Sequence, residues 1–476
     1  MKRINEVKYR LLAALLTLTG LMLASVPAEA VPSYARQTSM ACSACHTVFP
    51  ELTPFGREFK LNGYVLDNIR QVKGISIDNK ETLGLNSTPP ISLMLQVSYT
   101  RNSTALPDSA IAGALAKNGD ILFPQQASLF YAGKIADGLG SFLQLTYDGV
   151  GDSFGFDNTD IRYAKHFSVG GADRDNLILG LTLNNGPTIQ DVWNTTAAWG
   201  FPYAASSTAP GPITSTKLDS GGGSLIQSTA GLGIYAWYNN SLYAELTMYS
   251  AAIRGGMHPL DSTQSSVVHG TSPYFRVAYE GRWDRNSLSV GAYGIDAKMH
   301  PGNGQALQGP VDHYRDIAGD VQYQFIGEDH LFTVLSTYIK ERQTLDASYA
   351  AQVSANPTND LKTFKLAGEY YYQRMIGGSV GFFSTTGSSD SGLYPATQLS
   401  TTTNTQVPIP VNGSAASSPN SQGEVFEVNY LPWLNTKLQL QYTRYSKFNG
   451  GTTNYDGAGR NASDNNTTYL LVWLLY

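Results

Sequence analysis

From about residue 90 to the end of the 476-residue chain, one pattern recurs: short stretches of alternating apolar and polar side chains, separated by turn-rich linkers. A period of two places successive side chains on opposite faces of a strand, so one apolar and one polar face mean a sheet that is wet on one side. Ile91, Leu93, Leu95, Val97 and Tyr99 share a face opposite Ser92, Met94, Gln96 and Ser98. Phe275, Val277 and Tyr279 likewise oppose Arg276 and Glu280, and Leu438, Leu440 and Tyr442 oppose Gln439 and Gln441. Sixteen such segments are read, with starts near 91, 125, 141, 158, 175, 228, 241, 271, 286, 313, 329, 361, 376, 422, 436 and 466.

The linkers alternate in length. Those at Asp137-Gly138, Gly170-Gly171, Asn239-Asn240, Asp284-Arg285, Gly327-Glu328, Met375 and Pro432 are tight, whereas those near 101–124, 185–227, 252–270, 299–312, 342–360, 387–421 and 449–465 are long. Short turns on one side and long loops on the other are the signature of an outer-membrane barrel, and an even strand number puts both barrel ends on the periplasmic side. The faces separate this from a soluble β-sandwich or propeller. Here Tyr, Trp, Leu and Val occupy one face and the charges share the other with Gln, which is the polarity of a lipid-facing band around a polar lumen. The expected fold is therefore all-β: a transmembrane barrel of about sixteen antiparallel strands over residues 90–476, in the bacterial outer membrane and in contact with its lipid. The last strand breaks the pattern. Behind Leu470, Val472 and Leu474, its other face carries Tyr469, Leu471, Trp473 and Leu475, as for a strand packed on a plug.

Residues 1–30 read as a cleaved signal peptide: Lys2, Arg3, Lys8 and Arg10, an apolar run from Leu11 to Leu23, then Ala28-Glu29-Ala30. Removing its four basic and two acidic residues takes the formal charge from -5 to -7, with charged residues only 14% of the full chain. No basic patch is present, so nucleic acid is not an expected partner. Soon after the cleavage site comes Cys42-Ser43-Ala44-Cys45-His46, which contains the only two cysteines of the chain. C-x-x-C-H is the spacing of covalent haem attachment, in which each thiol adds to one vinyl group and the histidine reaches the iron. Export and the adjacent His46 favour one covalently bound haem c over a redox dithiol. Residues 31–89 are not strand-like and form the expected monohaem cytochrome c segment. In it Thr53 caps a helix, with Pro54 at its first position and Gly63 just past its end. Phe55 and Phe59 are placed to pack on the haem, and Arg57 and Lys60 to neutralise its propionates. A segment this small buries a haem poorly alone, so the barrel is expected to supply the missing wall, with the segment plugging the lumen.

The run Val31-Pro-Ser-Tyr-Ala-Arg-Gln-Thr38, then Cys42 to His46, then Phe49-Pro-Glu-Leu-Thr-Pro-Phe-Gly-Arg-Glu-Phe-Lys-Leu-Asn-Gly-Tyr64 resembles the fused monohaem cytochrome c–porin family of outer-membrane iron(II)-oxidising cytochromes. The resemblance covers residues 31 to 100 and touches Asn184 to Trp193 and Trp199 to Pro202. It implies that Cys42 and Cys45 hold the haem and that His46 is the proximal iron ligand. It also implies an iron(II):cytochrome c-type oxidoreductase performing electron transfer only. Electrons would pass from extracellular Fe(II) across the outer membrane to a periplasmic cytochrome or copper protein. Family membership leaves the donor open, so a redox conduit for another donor or acceptor, or a diffusion porin with a haem-bearing plug, stands as the alternative.

Parity narrows the distal iron ligand. Met94 lies on a polar, lumen-facing row near the periplasmic start of a strand and is the first candidate. His166, on a row with Asp160 and Arg162, is the second. Met40 sits too close to the attachment site, Met248 should meet lipid, and Met257 and Met299 fall in outer loops. The pairs Met257-His258 and Met299-His300 are further, weaker metal-binding candidates. No Gly-x-Ser-x-Gly elbow, His-Glu-x-x-His or P-loop appears.

Overall fold

The computed structural model describes residues 32–73, 84–107, 118–171, 174–193, 203–221, 224–225, 227, 229–251, 266–301, 309–400 and 403–476. The expected signal peptide, the Met257-His258 pair and the run Trp199 to Pro202 lie outside the described residues. Sixteen strands form the barrel. The first eight are β1 Ile91–Asn102, β2 Ile121–Ala136, β3 Leu139–Asp148, β4 Ser153–Phe167, β5 Leu177–Asn184, β6 Thr229–Tyr238, β7 Leu242–Ala251 and β8 Ser272–Trp283. The rest are β9 Asn286–Pro301, β10 Asp312–Ile326, β11 His330–Thr344, β12 Thr358–Tyr372, β13 Ile376–Gly387, β14 Ser421–Trp433, β15 Thr436–Lys447 and β16 Thr467–Leu475. Each pairs antiparallel with its chain neighbour, and β16 closes the ring on β1, with Thr467 opposite Asn102 and Leu475 opposite Met94. Closure pairs every strand on both sides, which is what a sheet surrounded by hydrocarbon requires.

The sixteen expected strands are all present. The starts expected near 125 and 158 come earlier, at Ile121 and Ser153, and β14 runs past Pro432 to Trp433 before the turn. Met299 and His300 lie on β9 rather than in a loop. Gln71–Lys73 pairs with Gly84–Asn86 as a small hairpin, so the stretch before β1 is not free of strands. The tight β6–β7 turn joins the last pair, Tyr238 and Leu242, through three residues and uses Asn239 (φ 50°) and Asn240 (φ 51°), a left-handed pair that asparagine tolerates.

Burial is inverted relative to a soluble protein. Leu232, Val428 and Ile317 are 62%, 62% and 60% exposed, while Gln144, Asp160, Arg162, Glu280 and Gln324 are 0% exposed. An apolar outer belt around a polar interior is the pattern of a barrel that crosses a bilayer. Among the described residues no helix is long and apolar enough to cross a membrane, so the strands do the crossing.

Two inserts occupy the lumen. The N-terminal one contains helices α1 Pro32–Thr38, α2 Cys42–Cys45 and α3 Pro54–Leu61. It touches most of the wall. Ser33 Oγ donates to the Ala132 carbonyl of β2 (2.7 Å), Tyr34 Oη to Ser141 of β3 (2.6 Å), and Tyr64 Oη to Asp160 of β4 (2.7 Å). Tyr235 of β6 donates to the Leu61 carbonyl (2.7 Å), and Arg57 pairs with Glu280 of β8 (2.8 Å). The second insert is the β5–β6 connection. Its residues Thr188 to Trp193 and Thr216 to Asp219 are buried. It crosses to the far wall, where Lys365 of β12 pairs with Asp219 (2.6 Å) and Gln441 of β15 donates to the Ala204 carbonyl (2.8 Å).

Candidate functional site

Local chemistry holds the Cys42–His46 run against α3. The Thr53 side chain caps α3 by accepting from the Gly56 N–H (3.1 Å), and its hydroxyl donates to the Ala44 carbonyl (2.6 Å). The Thr53 N–H reaches the Cys45 carbonyl (2.9 Å), so one residue joins the two helices. Pro54 at the first helical position gives up no hydrogen bond there. Gly56 is required by close approach, since a Cβ at that position would stand 2.1 Å from the Cys45 carbonyl oxygen. Beyond the helix, Gly63 (φ +70°) ends α3 against β3 and β4, where a Cβ would meet the Gly138 carbonyl at 2.5 Å.

Cys42, Cys45 and His46 line one cleft. Its other walls are Tyr34, Ala35, Thr38 and Met40 from the first helix and its exit, Phe59 and Lys60 from α3, Phe130 and Phe142 from β2 and β3, and Ile189 from the inward loop. The space among these residues, counted together with the open solvent at its mouth, is about 980 Å³. Its lining is apolar and aromatic: Tyr34 stands edge-on to Phe59 (5.0 Å) and stacks on Tyr64 (5.7 Å). The two thiols are not joined in a disulfide. Burial, with Cys42 adding to it, pushes the Cys45 thiol up to about 11, the opposite of what a nucleophilic redox dithiol needs. His46 Nδ1 lies 3.3 Å from the Glu51 carbonyl. That bond fixes the tautomer with Nε2 unprotonated, the usual preparation of a metal-binding imidazole. Burial lowers the His46 pKa to about 4, against the pull of the Glu51 and Pro50 carbonyls, so the ring is neutral at ordinary pH.

The residues present fit a tethered haem. Two thiols, a neutral imidazole with one nitrogen free, an apolar lining and one cationic side chain converge on one cleft. Lys60 is that cation. Its stem lines the cleft, and its ammonium donates to the Ile189 carbonyl and lies 3.4 Å from the Asp191 carbonyl and 3.9 Å from Asp160. Burial lowers its pKa to about 8, with Asp160 opposing.

Arg57 does not join it, contrary to expectation. Its guanidinium turns to the opposite wall and donates to Glu280, to Gln322 (2.9 Å) and to Gln324 (2.8 Å). Buried carboxylate and amide partners there outcompete a cleft on the other side of the helix. Phe59 lines the cleft and Phe55 does not. Met94 faces the lumen and is 2% exposed, packed in one apolar cluster with Cys42, Phe49 and Phe130, but it does not line the cleft. His166 is exposed near the periplasmic end of β4 and also lies outside it. The methionine that does line the cleft is Met40, set aside on sequence proximity alone.

Sequence reasoning also missed the inward turn of Asn184 to Trp193. Trp193 Nε1 donates to Glu280 (2.7 Å), and Arg276 stacks on the Trp193 ring (4.9 Å) while pairing with Asp320 (2.7 Å). Of the remaining histidines, His269 and His300 lie 3.0 Å apart near the outer rim. Among the described residues no group of three or more His, Cys, Asp or Glu is positioned to hold a metal ion.

No protein-family model matches the chain, and no curated protein matches it. Solved structures do. A loop L8 deletion mutant of OmpT, an outer membrane protein of Vibrio cholerae, is 10% identical with a TM-score of 0.42, covering 81% of this chain and 98% of that one. The outer membrane channel DcaP of Acinetobacter baumannii is 10% identical with a TM-score of 0.41, covering 81% and 96%. OmpF of Salmonella typhi, in complex with daunomycin, is 9% identical with a TM-score of 0.42, covering 81% and 97%. The strand pairing and the apolar belt define the class: a sixteen-stranded outer-membrane barrel of porin architecture. Within that class, this chain differs from an open pore by the helical insert and inward loop that share its lumen.

Proposed function

We propose that the chain carries one covalently bound haem c on Cys42 and Cys45, ligated by His46, and moves electrons from extracellular Fe(II) across the outer membrane to a periplasmic cytochrome or copper protein. One observation carries this reading: both thiols and a neutral imidazole held through Nδ1 line a single apolar cleft inside a lipid-crossing barrel. When bound, the haem would supply a one-electron couple. The chain's own residues do the rest. His46 presents Nε2, Phe59, Phe130 and Phe142 keep water from the cleft, and Lys60 offsets negative charge at its edge. Met94 and, after it, His166 are the candidates from strand parity that would supply a second iron ligand, and Met40, which lines the cleft, joins them. Removing the true ligand changes the ligation spectrum.

Haem staining of outer membranes tests the first half: the wild type should stain and Cys42→Ala/Cys45→Ala should not. Anaerobic stopped-flow mixing of the oxidised protein with Fe(II) tests the second, and reduction far slower than turnover would point to another donor. Porin architecture favours a second reading, a diffusion porin with a haem-bearing plug. The two inserts that pack into the lumen weigh against free diffusion, and single-channel conductance comparable to an open porin would reverse that judgement.

A further inference from the structure

We propose that the outward face of β9 to β12, at the long-loop end of the barrel, binds the phosphates of a phosphorylated glycolipid in the outer leaflet. The inference rests on the barrel alone and not on the haem reading. Strand register builds the patch. Arg315 of β10 lies directly opposite Arg342 of β11, and Lys340 of β11 lies directly opposite Lys362 of β12. Lys298 of β9 stands one row nearer the loops, opposite His313. All five cations are exposed, and they alternate along their strands with the buried, inward-facing Ala297, Asp316, Glu341 and Leu361.

Opposite charges within the protein do not account for this grouping. Asp296 takes both Arg315 (2.9 Å) and His313 (2.6 Å). Among the described residues no carboxylate lies within salt-bridge distance of Lys298, Lys340, Arg342 or Lys362, although Asp360 is register-paired with Arg342. Five cations against Asp296 and Asp360 leave these rows positive, in a chain whose formal charge is -5. Like charges directly opposite one another destabilise a sheet. At the same end of the barrel β14 and β15 show the ordinary arrangement, with Glu424 opposite Arg444. On β1 to β8 the exposed outward positions carry two cations among the described residues, Arg101 and Lys165, and these lie at opposite ends of the barrel.

Height and spacing select a lipid phosphate. His330 begins β11 at the tight-turn end, and Lys340 lies ten residues further along the same strand. At about 3.4 Å per residue and a tilt of about 40°, that is a climb of about 25 Å, the height of the apolar band of an outer-membrane barrel. The Lys340–Lys362 row therefore meets the outer headgroup level, with the exposed Ile317, Tyr338 and Leu366 in the belt at and below it. Directly opposite residues stand about 5 Å apart and successive rows about 7 Å apart. Arg315, Arg342, Lys340 and Lys362 thus frame a space in which one or two phosphate groups reach all four. Guanidinium supplies a planar fork for phosphate oxygens and ammonium a compact charge. A free anion gains nothing from the hydrocarbon belt beneath, and a second copy of this chain joined face to face would bring the same positive patch. A phosphate carried on acyl chains satisfies both halves of the surface.

Bis-phosphorylated lipid A is the probe, added in neutral detergent to the purified full-length protein and counted by native mass spectrometry. The expected result is one or two lipids retained per chain, with retention falling as salt rises because exposed charges are screened. Arg342→Gln/Lys362→Gln removes one member of each like-charged pair and should weaken binding by about tenfold or more. Arg101→Gln, at the same end on β1, should leave it unchanged. Without lipid the double variant should melt at the wild-type temperature or above, because it relieves repulsion, and it should lose the rise in melting temperature that lipid A gives the wild type. That pairing separates loss of the ligand from misfolding. Absence of binding by the wild type, or equal binding by the wild type and the double variant, overturns the proposal. So does equal retention of dephosphorylated lipid A with the same acyl chains, or displacement by millimolar inorganic phosphate. A wild-type oligomer that excludes the lipid and dissociates in the double variant would show a second copy covering the face, which overturns it too.

Discussion

The N-terminal insert meets the barrel in two opposite ways. Toward β16, β1 and β2 an apolar cluster dominates beside the hydrogen bonds of Ser33 and Gln37 to the Ala132 carbonyl: Phe49 stands edge-on to Trp473 (4.8 Å), and Ala35, Cys42, Met94, Phe130, Leu471 and Leu475 complete the cluster. Toward β8, β10 and β11 it is ionic and hydrogen-bonded, through Arg57, Glu51 and Glu58. The apolar wall borders the cleft and excludes water from it. The polar wall fixes orientation, because bonds with defined geometry tolerate no sliding. The insert itself is thereby held on one side by shape and on the other by direction.

The sharpest way to break this contrast is to remove one anchor from each wall. Trp473→Ala deletes a side chain that is 1% exposed, and Trp-to-Ala changes in a packed core cost about 3–5 kcal/mol. The barrel should still close, since the backbone ladder of β16 is untouched, while the insert becomes sensitive to protease in folded, heat-modifiable protein. Arg57→Ala is expected to cost less. Breaking a buried ion pair costs about 3–5 kcal/mol when the remaining charge is abandoned. Here Glu280 keeps Arg282 (2.6 Å) and Trp193 Nε1 (2.7 Å), so about 2–3 kcal/mol is the expected loss. A larger loss for Arg57→Ala than for Trp473→Ala would mean that the polar wall is the main hold.

Acid separates the walls in another way. In the haem-free Cys42→Ala/Cys45→Ala variant, His46 should keep its lowered pKa of about 4 against an ordinary 6.5, because burial disfavours its charged form. Between those values an undocked insert binds a proton that the docked one does not. Docking is therefore at full strength above about pH 6.5 and weakens as pH falls toward about 4, below which this group adds no further loss. Protease sensitivity against pH checks this, and His46→Gln should flatten the curve.

How much of this was legible in the sequence follows the physics of each region. Lipid on one side and a polar lumen on the other force a period of two, so all sixteen strands could be read from residue type alone. The apolar inner face of Tyr469, Leu471, Trp473 and Leu475 marked where something dry must pack, and the insert packs there. Thr53, Pro54 and Gly63 announced α3 because capping is local chemistry. What could not be read depends on contacts remote in sequence. Arg57 looks like any charge on a helix face until Glu280 arrives from 223 residues away. The inward course of Thr188 to Trp193 has no periodicity to reveal it. Strand parity singles out Met94 and sequence proximity sets Met40 aside, whereas in the structure Met40 lines the cleft and Met94 does not, because parity fixes which face a residue is on but not what occupies that face.

The smallest expected effect probes the joint between the walls. Thr53 links the helix carrying the cysteines to the helix carrying Arg57 and Lys60, accepting from Gly56 and donating to Ala44. Thr53→Ala removes both bonds while leaving the Thr53 N–H to Cys45 carbonyl bond, and loss of such a cap costs about 1 kcal/mol. Thr53→Ser restores the hydroxyl and should recover most of that loss. The effect on insert stability is small compared with either wall, but its consequence for the cleft is specific. With the joint loosened, α2 can shift against α3 while Trp473 and Arg57 still hold their sides. Thr53→Ala should thus disturb haem attachment, read as the stained fraction of purified protein, more than it disturbs protease resistance, whereas Arg57→Ala should show the reverse order. Equal effects on both readouts would mean that the cleft and the anchoring contacts are one cooperative unit, and the division into two walls would have no mechanical meaning.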